Sequence, residues 1–530
     1  MTWLTASILV NDFASLPGLG DRAWSQGADA LELRLDRYRN DSVKLAEWIN
    51  SQPNQRFILT CRSRKEGGFS DDDALTRAKR LAEIAVITQA AVDFEWVDWR
   101  DHPEVKESLS AAIGNLGEPR TVGSRLILSR HDQNGTPSDP HVVVQEIRRE
   151  TSTAIGKIAY RANHINDSFA ALDVLHDFGS GVIAVAMGPD GLWTRLLAGK
   201  LGAFATFAAL TDETKTAEGQ LTLSEMIEIF RWREIRPNTK VYGVIGDPVA
   251  HSMSPSLFNH WFSQARLDAV YLPLLTRRKG NCVRRFLDQC RERPWLDIGG
   301  LSVTVPHKTA ALHWAGETAD RAARNIGALN TLSFRAGAVC GHNTDCHTGT
   351  ASLARALDCR PTDLLNLTVD LLGTGGAARA LLYGLSMLGC RITVYGRSPD
   401  RTKRLADAFG AAPASWDDRQ NRRGEIVINT TSVGMWPDIH ESPLSTEALG
   451  SCRLVFDLIY NPLETQLLRD AKNAGVPTLN GLDMFVRQAA MQFALWTQTE
   501  PPSSNVDEML AREIVRRHAL SPPSSVPGNE

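Results

Sequence analysis

Short apolar runs separated by longer amphipathic stretches fill the first 235 residues, and this spacing constrains the fold more than any other feature of the chain. The runs are Leu4–Val10, Ala30–Asp36, Phe57–Arg62, Ala91–Trp96, Arg125–Asp132, Ala154–Ala162, Val182–Gly188 and Phe204–Leu210. Each has the length of a buried strand, while intervening stretches such as Asp72–Ala90 and Pro140–Thr151 have the length of helices. Eight such units predict an α/β fold, a (β/α)8 barrel.

The pattern breaks at Trp232–Val241. Pro237 cannot continue a helix and biases Arg236 away from the helical region. A single Pro-Asn pair is ordinarily a helix-to-strand loop inside one domain. Here 530 residues exceed what one hydrophobic core supports, so a seam between domains is the better reading. Leu223–Ile235 then reads as the eighth barrel helix, Arg236–Lys240 as a short linker, and Val241–Asp247 as the first strand of a separate domain. A joint of that length cannot serve as a long flexible tether.

A net charge of -3 with no basic stripe argues against nucleic acid, so acidic metabolites would have to be met by local Arg and Lys. The eight cysteines contain no CxxC pair, which fits a reducing compartment and predicts no metal site. The first residues, Met1–Ile8, show neither a charged n-region nor an Arg/Ser-rich leader, and no apolar run reaches membrane-spanning length. A cytoplasmic chain without a membrane partner is expected. Oligomeric state is not readable, and a monomer is compatible with the sequence.

Polar residues inside the apolar runs crowd toward their C-terminal ends, where a barrel places its chemistry. They are Glu32 and Arg34, Arg62 followed by Glu66, Asp93 and Glu95, His131 and Asp132, and Lys157. A lone Arg-Asp pair at a strand end is commonly structural. Lys157 is harder to dismiss, because it lies between Ile155 and Ile158 in a strand buried on both faces. Burying an ammonium costs several kcal/mol unless it is paired or neutralised. A neutralised lysine is a good nucleophile toward a ketone, and His131 on the neighbouring strand would be its general base.

These residues sit in ELRLDRY from Glu32, TCRSRKEGGF from Thr60, SRHD from Ser129, GKIAYRA from Gly156, MGPDGLWTRLLAGKLG from Met187 and TAEGQLT from Thr216. Together they resemble type I 3-dehydroquinate dehydratase over nearly all of residues 1–235. The resemblance implies that Lys157 forms a Schiff base with the substrate ketone, that His131 moves the protons, and that Glu66 orients His131. It also implies that Arg195 grips the carboxylate and that Glu32, Arg34, Arg62 and Gln220 hold ring hydroxyls. Two positions on a lid-like loop depart from the family: Thr216 stands where Ser is usual and Glu218 where Pro is usual. The threonine keeps the hydroxyl, so tuned binding is expected.

In the second half, Val369–Leu372 runs into Gly373-Thr374-Gly375-Gly376-Ala377 and then a helix start. That strand–turn–helix context is what a dinucleotide fingerprint requires, with the pyrophosphate at the helix N-terminus. The next strand ends in Gly396-Arg397-Ser398, with Arg401 beyond. Arginines in place of an acidic residue point to the 2′-phosphate of NADP; a solvated helix start is the plain alternative. Upstream lie Ser252 and Ser254, two hydroxyls that can meet one polyol or carboxylate, although Ser before Pro also starts helices. Then come Leu301–Lys308, Gly327–Thr331 and Gly341–Asp345, and downstream Asn429–Met435, Phe456–Tyr460 and Asn480–Ala490.

In that order these motifs resemble shikimate dehydrogenase over roughly residues 240–500. The resemblance implies a Lys308/Asp345 catalytic pair and a substrate site of Ser252, Ser254, Thr304, Asn330, Asp345, Tyr460 and Gln488. It places NADP on Gly373, Gly375, Gly376, Ala377, Arg397, Ser398, Arg401 and Gly481, with Thr430, Thr431 and Met435 on the nicotinamide side. Asp483 stands where the family usually has Gly. The expected organisation is therefore a barrel at 1–235, a linker at 236–240, an α/β substrate domain at 241–345, a Rossmann NADP domain at 346–484, returning helices at 485–515 and a disordered Pro/Ser-rich tail at 516–530. The implied activity is bifunctional: dehydration of 3-dehydroquinate and NADPH-dependent reduction of 3-dehydroshikimate to shikimate. Two alternatives are a quinate dehydrogenase using NAD and a non-catalytic metabolite sensor; Lys157, His131, Lys308 and Asp345 all argue against the sensor.

Overall fold

A computed structural model describes residues 2–39, 41–114, 126–278, 280–335, 337–503 and 505–520, the last three by backbone alone. The chain divides into two compact units, Met1–Lys240 with Asp268–Arg293, and Val241–Leu267 with Pro294–Glu530.

The first unit holds eight strands: β1 (Trp3–Leu9), β2 (Ala30–Arg34), β3 (Phe57–Thr60), β4 (Ala91–Glu95), β5 (Leu126–Asp132), β6 (Ile155–Arg161), β7 (Val182–Met187) and β8 (Ala205–Ala208). They form one parallel sheet of order β7-β6-β5-β4-β3-β2-β1-β8. The Phe204 N–H donates to the Val182 carbonyl at 2.9 Å, bringing the two ends of the sheet together into a near-closed barrel. Each predicted run coincides with one of these strands to within about two residues; the predicted start at Arg125 lies outside the described residues. Helices α1 (Leu16–Ser25), α2 (Ser42–Asn50), α3 (Ala74–Ala85), α4 (Trp96–Asp101), α5 (Pro103–Ile113), α6 (Pro140–Glu150), α7 (Ser168–Phe178) and α8 (Leu192–Leu196) connect them.

Strand parity sorts the barrel. Alternate residues point the same way. Ile58, Ala91, Ile127, Ile155, Ile183 and Ala205 pack as an apolar floor. Two residues further along the same rows stand Thr60, Asp93, Ser129, Lys157, Val185 and Phe207, and beyond them Arg62, Glu95, His131, Ala159 and Met187. All strands are parallel, so every polar row end meets at one mouth.

The eighth-helix expectation for Leu223–Ile235 is corrected. A π-type turn at Glu225–Ile229 is followed by a 3-10 turn at Trp232–Glu234. Between them Arg231 takes φ +52, a left-handed conformation that ends the helical run while Trp232 is buried. The joint itself is tied down: Lys200 Nζ donates to the Pro237 carbonyl at 2.6 Å and to the Thr239 carbonyl at 3.0 Å.

The second sheet contains β9 (Lys240–Gly246), β10 (Ala269–Leu275), β11 (Ile298–Val303), β12 (Thr331–Arg335) and β13 (Ala338–His342), in order β10-β9-β11-β12-β13. Helices α9 (Ser254–Gln264), α10 (Cys282–Glu292), α11 (Lys308–Ala315), α12 (Arg321–Ile326) and α13 (Asp345–Ala356) accompany it. The expected single domain at 241–345 does not account for the stretch Asp268–Arg293, which clusters with the barrel. Two arginine forks explain this: Arg277 reaches both carboxylate oxygens of buried Asp190 at 2.9 and 2.5 Å, and Arg293 those of Asp173 at 2.6 and 2.7 Å. Phe286 joins them by packing against Phe169 and Trp193.

The third sheet is all parallel, built from β14 (Thr368–Leu372), β15 (Arg391–Gly396), β16 (Ala412–Ser415), β17 (Ile426–Asn429), β18 (Leu454–Asp457) and β19 (Thr478–Leu479). Its order, β16-β15-β14-β17-β18-β19, is the doubly wound dinucleotide-binding order, with the chain reversing direction at β14. Helices α14 (Gly376–Met387), α15 (Pro399–Phe409) and α16 (Gln466–Asn473) flank it, and α17 (Leu482–Thr497) follows. A last helix, α18 (Val506–Leu520), corrects the expectation of disorder from 516. Val506, Leu510 and Ile514, within the stretch expected to be helical, recur every four residues and are buried as one apolar stripe. Residues 521–530 lie outside the described residues. Among the described residues, no helix is long and apolar enough to cross a membrane, and no group of three or more potential metal ligands occurs.

Candidate active sites

The barrel mouth encloses a cavity of about 270 Å³ lined by Glu32, Arg34, Arg62, Glu66, His131, Lys157, Arg195, Thr216 and Gln220. The nine residues given a catalytic or binding role in the barrel therefore meet in one space, while Asp93, Glu95 and Asp132 do not line it. Lys157 Nζ donates to Asp93 Oδ2 at 2.6 Å, lies 3.5 Å from Glu32 Oε1, and sits 4.2 Å from the centre of the Phe207 ring. The cost of burying this lysine is thus met by carboxylate partners and an aromatic face. Asp93 also takes Arg62 at 2.7 Å and the Ser129 hydroxyl at 2.5 Å. Burial would raise its carboxyl, but Arg62 and Lys157 hold it well below the usual carboxylate range. Glu32 is fixed by Ser7 at 2.5 Å and Thr60 at 3.1 Å.

His131 Nδ1 lies 3.0 Å from Glu66 Oε2, and the His131 backbone N–H donates to the same oxygen at 3.0 Å. Burial pushes the Glu66 carboxyl up to about 8, and burial together with Arg62 and Lys157 pushes the His131 imidazole well below its ordinary value. The imidazole is therefore neutral near pH 7, a form that can accept a proton. Arg195 is the opposite case. Burial lowers it to about 10; among the described residues its Nε has no partner, and Nη1 reaches the Phe207 carbonyl at 3.4 Å. A buried guanidinium with so few partners facing a cavity calls for an anion. Asp93, Ser7, Thr60 and Ser129 carried no assigned role in the sequence. The signal was parity, since Asp93 shares the inward row of Ala91, but its partners depend on register across strands.

In the second unit, Lys308 and Asp345 each open a helix, α11 and α13, and Lys308 Nζ meets Asp345 Oδ2 at 2.5 Å. A helix N-terminus favours the carboxylate and disfavours the ammonium beside it. Asn330 Nδ2 donates to Asp345 Oδ1 at 2.9 Å, to Thr344 Oγ1 at 2.8 Å and toward Gln488 Oε1 at 3.4 Å. Gln492, one helical turn beyond Gln488, donates to the Asn330 carbonyl at 3.1 Å and was missed by sequence reasoning. Ser252 and Ser254 stand at the start of α9, where the Ser254 N–H donates to Ser252 Oγ at 3.2 Å. Burial pushes the Tyr460 hydroxyl up, and the nearby Ser252 side chain works against that rise. Thr304 lies on the loop after β11, its methyl close enough to Gly246 that a Cβ there would stand 2.3 Å away.

The glycine loop has a closed side and an open side. A Cβ on Gly373, whose φ is +113, would lie 2.5 Å from Thr430 Oγ1; one on Gly376 would lie 2.7 Å from Lys308 Cδ. At Gly375 a Cβ would meet nothing within 4 Å. Ala377 follows in the first turn of α14, so backbone N–H groups are presented to the open side. Arg401 Nη2 donates to the Thr374 carbonyl at 3.0 Å, which brings it beside the loop, and Arg397 and Ser398 are exposed at the start of α15. These residues fit a dinucleotide with an additional phosphate. Thr430 bonds back to the Leu372 carbonyl at 2.6 Å, Thr431 to Asn429 at 2.7 Å, and Met435 is 37% exposed. Gly481 has a packing reason of its own: a Cβ would stand 2.0 Å from the Leu458 carbonyl oxygen. Asp483 bonds Ser352 at 2.6 Å and pairs with Arg355 and Arg487, tying α17 to α13.

A barrel with an enclosed lysine and a doubly wound nucleotide fold beside a lysine–aspartate pair define two enzymes in one chain, a carbonyl-directed lyase and a nucleotide-dependent oxidoreductase. The family model for type I 3-dehydroquinase matches residues 7–237. Those for the shikimate dehydrogenase substrate-binding and C-terminal domains match 244–332 and 481–512. A bifunctional 3-dehydroquinate dehydratase/shikimate dehydrogenase of Arabidopsis thaliana, described as chloroplastic, is 33% identical over 499 residues, covering 91% of this chain and 79% of that protein. The chain belongs to that bifunctional family. A shikimate dehydrogenase (NADP(+)) of Maridesulfovibrio salexigens is 36% identical over 278 residues, covering 52% of this chain and 96% of its own. The crystal structure of the Thermus thermophilus shikimate 5-dehydrogenase with NADP(H) and shikimate is 31% identical, covers 52% of this chain and 99% of its own, and has a TM-score of 0.45.

Proposed function

We propose that the chain carries out two consecutive steps, dehydration of 3-dehydroquinate to 3-dehydroshikimate in the barrel and reduction of that product to shikimate in the second unit. The observation that carries the first step is the cavity holding Lys157, the Glu66–His131 pair and the under-partnered Arg195 together. Arg195 takes the substrate carboxylate. Lys157, after giving up its proton, adds to the C3 ketone, and loss of water forms the imine. His131 takes the C2 proton; the electron pair moves into the enamine, and the C1 hydroxyl leaves as water with a proton returned by His131. Hydrolysis of the imine releases the enone and restores the Lys157 amine.

For the second step, the open side of Gly375 with Arg397, Ser398 and Arg401 would hold NADP, which supplies the hydride when bound. Ser252, Ser254, Thr304, Asn330, Tyr460 and Gln488 orient the ring, and Lys308 gives a proton to the carbonyl oxygen as the hydride arrives at its carbon. Asp345 holds the Lys308 ammonium in place.

A coupled assay tests the whole reading. Purified single chain given 3-dehydroquinate and NADPH should consume NADPH and accumulate shikimate. No NADPH consumption, or turnover of quinate with NAD that equals shikimate with NADP, would overturn it.

A further inference from the structure

We propose that Arg517, near the end of α18, is a positioning residue for the carboxylate of the dehydrogenase substrate, clamping the serine turn that receives it. This rests on the dehydrogenase reading of the second unit. Arg517 Nη1 donates to the Ser252 carbonyl at 3.2 Å and Nη2 to the Ser256 hydroxyl at 3.3 Å. One guanidinium thus spans the turn from Ser252 into the first turn of α9. The position lies beyond residue 512, where the family model match ends.

Charge placement gives the clamp its meaning. A shikimate-like acid has one carboxylate and a reacting carbon. At the reacting end Asp345 already neutralises Lys308, so a second carboxylate there would face a like charge. The other polar cluster, Ser252, Ser254 and Tyr460, offers hydroxyls at the N-terminus of α9 but no charge of its own. Arg517 supplies it. Its Nε shares Glu513 with Arg516, so one carboxylate stands against two guanidiniums and a net positive charge remains beside the turn. That charge reaches the site: burial raises the Tyr460 hydroxyl and Arg517 opposes the rise, while burial lowers the neighbouring His251 imidazole and Arg517 adds to the fall. A positive charge held beside the turn attracts a carboxylate seated there, and hydroxyls on a turn whose carbonyl and helix start are fixed are pre-aimed at it.

The test uses the full chain and two substrates, shikimate and its methyl ester, which lacks the negative charge. Arg517→Ala should raise the KM for shikimate about tenfold with kcat changed by less than about twofold, and leave the KM for the ester and for NADP unchanged. Arg517→Lys should recover part of the loss, keeping the charge without the two-pronged fork. An unchanged kcat and NADP KM report that the second unit is folded, and dehydration of 3-dehydroquinate by the same variants reports that the barrel is. An unchanged shikimate KM, or equal losses for acid and ester, would overturn the clamp. A parent chain that does not oxidise shikimate at all would overturn the reading of the site, and the clamp with it.

Discussion

Both units centre on a lysine beside an aspartate, and the two lysines are held in opposite ways. Lys157 projects from mid-strand into a barrel, 5% exposed, between Asp93, Glu32 and the Phe207 ring. Lys308 opens a helix at a loop, with its Asp345 partner opening another. A lysine that must become a nucleophile needs an enclosed, charge-balanced setting in which its proton can be moved away and water kept out. A lysine that only passes a proton needs a fixed direction and access to the substrate oxygen, and a helix start beside a carboxylate supplies both. The same residue pair is read as two chemistries because of its surroundings.

The sharpest way to break the comparison is to remove the barrel lysine. Lys157→Met should cost the dehydratase about 10³-fold or more and leave shikimate oxidation intact, since the Lys308 site is built from other elements. In the parent chain, borohydride added with 3-dehydroquinate should trap a covalent adduct on Lys157; an unmodified protein after trapping would mean the lysine does not form an imine. The reciprocal change, Asp345→Asn, should reduce shikimate oxidation by about 10²–10⁴-fold with dehydration preserved. Loss of both activities would show that the two sites do not work independently.

A smaller effect separates His131, the proposed base, from Glu66, the acid proposed to orient it. Glu66 is raised to about 8, so as pH falls through that value its carboxyl gains a proton. It can then donate to His131 Nδ1, which leaves the ring proton on Nε2, the nitrogen that has to accept one. Dehydratase kcat/KM should therefore fall as pH drops below about 8. In Glu66→Gln the amide oxygen accepts from Nδ1–H at every pH, so that limb should move to lower pH; an unshifted profile would assign it to another group. The smallest effect belongs to the cofactor end, where the arginines are solvent-exposed. Arg397→Ala should raise the KM for NADP about tenfold and leave that for NAD nearly unchanged, read from initial rates with each nucleotide.

Much of this was legible in one dimension. The eight strands were, because a buried parallel strand must be almost wholly apolar, and Lys157 stood out because it broke such a run. The glycine loop was legible because only glycine admits a backbone that would otherwise strike Thr430 and Lys308. Other features were hidden. Asp93 as the partner of Lys157 depends on pairing between strands that are distant in sequence. The π and 3-10 turns of the last barrel segment are parted by the left-handed Arg231, which no propensity marks. Helix α18 runs to Leu520, past the expected end of the returning helices at 515, because the Pro and Ser that follow drew that boundary too early.

By itself the sequence determined the chemical inventory: which runs are buried, which polar residues are misplaced among them, and where one pattern stops and another starts. Those are local properties of side chains and short-range periodicity. The tertiary structure alone decided who pairs with whom. It gave Asp93 to Lys157 and Arg62 together, set the buried Arg195 against the Phe207 carbonyl, joined Asp268–Arg293 to the barrel through Asp190 and Asp173, and set Arg517 against the Ser252 turn. Such pairings are fixed by sheet register and packing over many residues, and a charge acquires its meaning only from the partner and the burial that register provides.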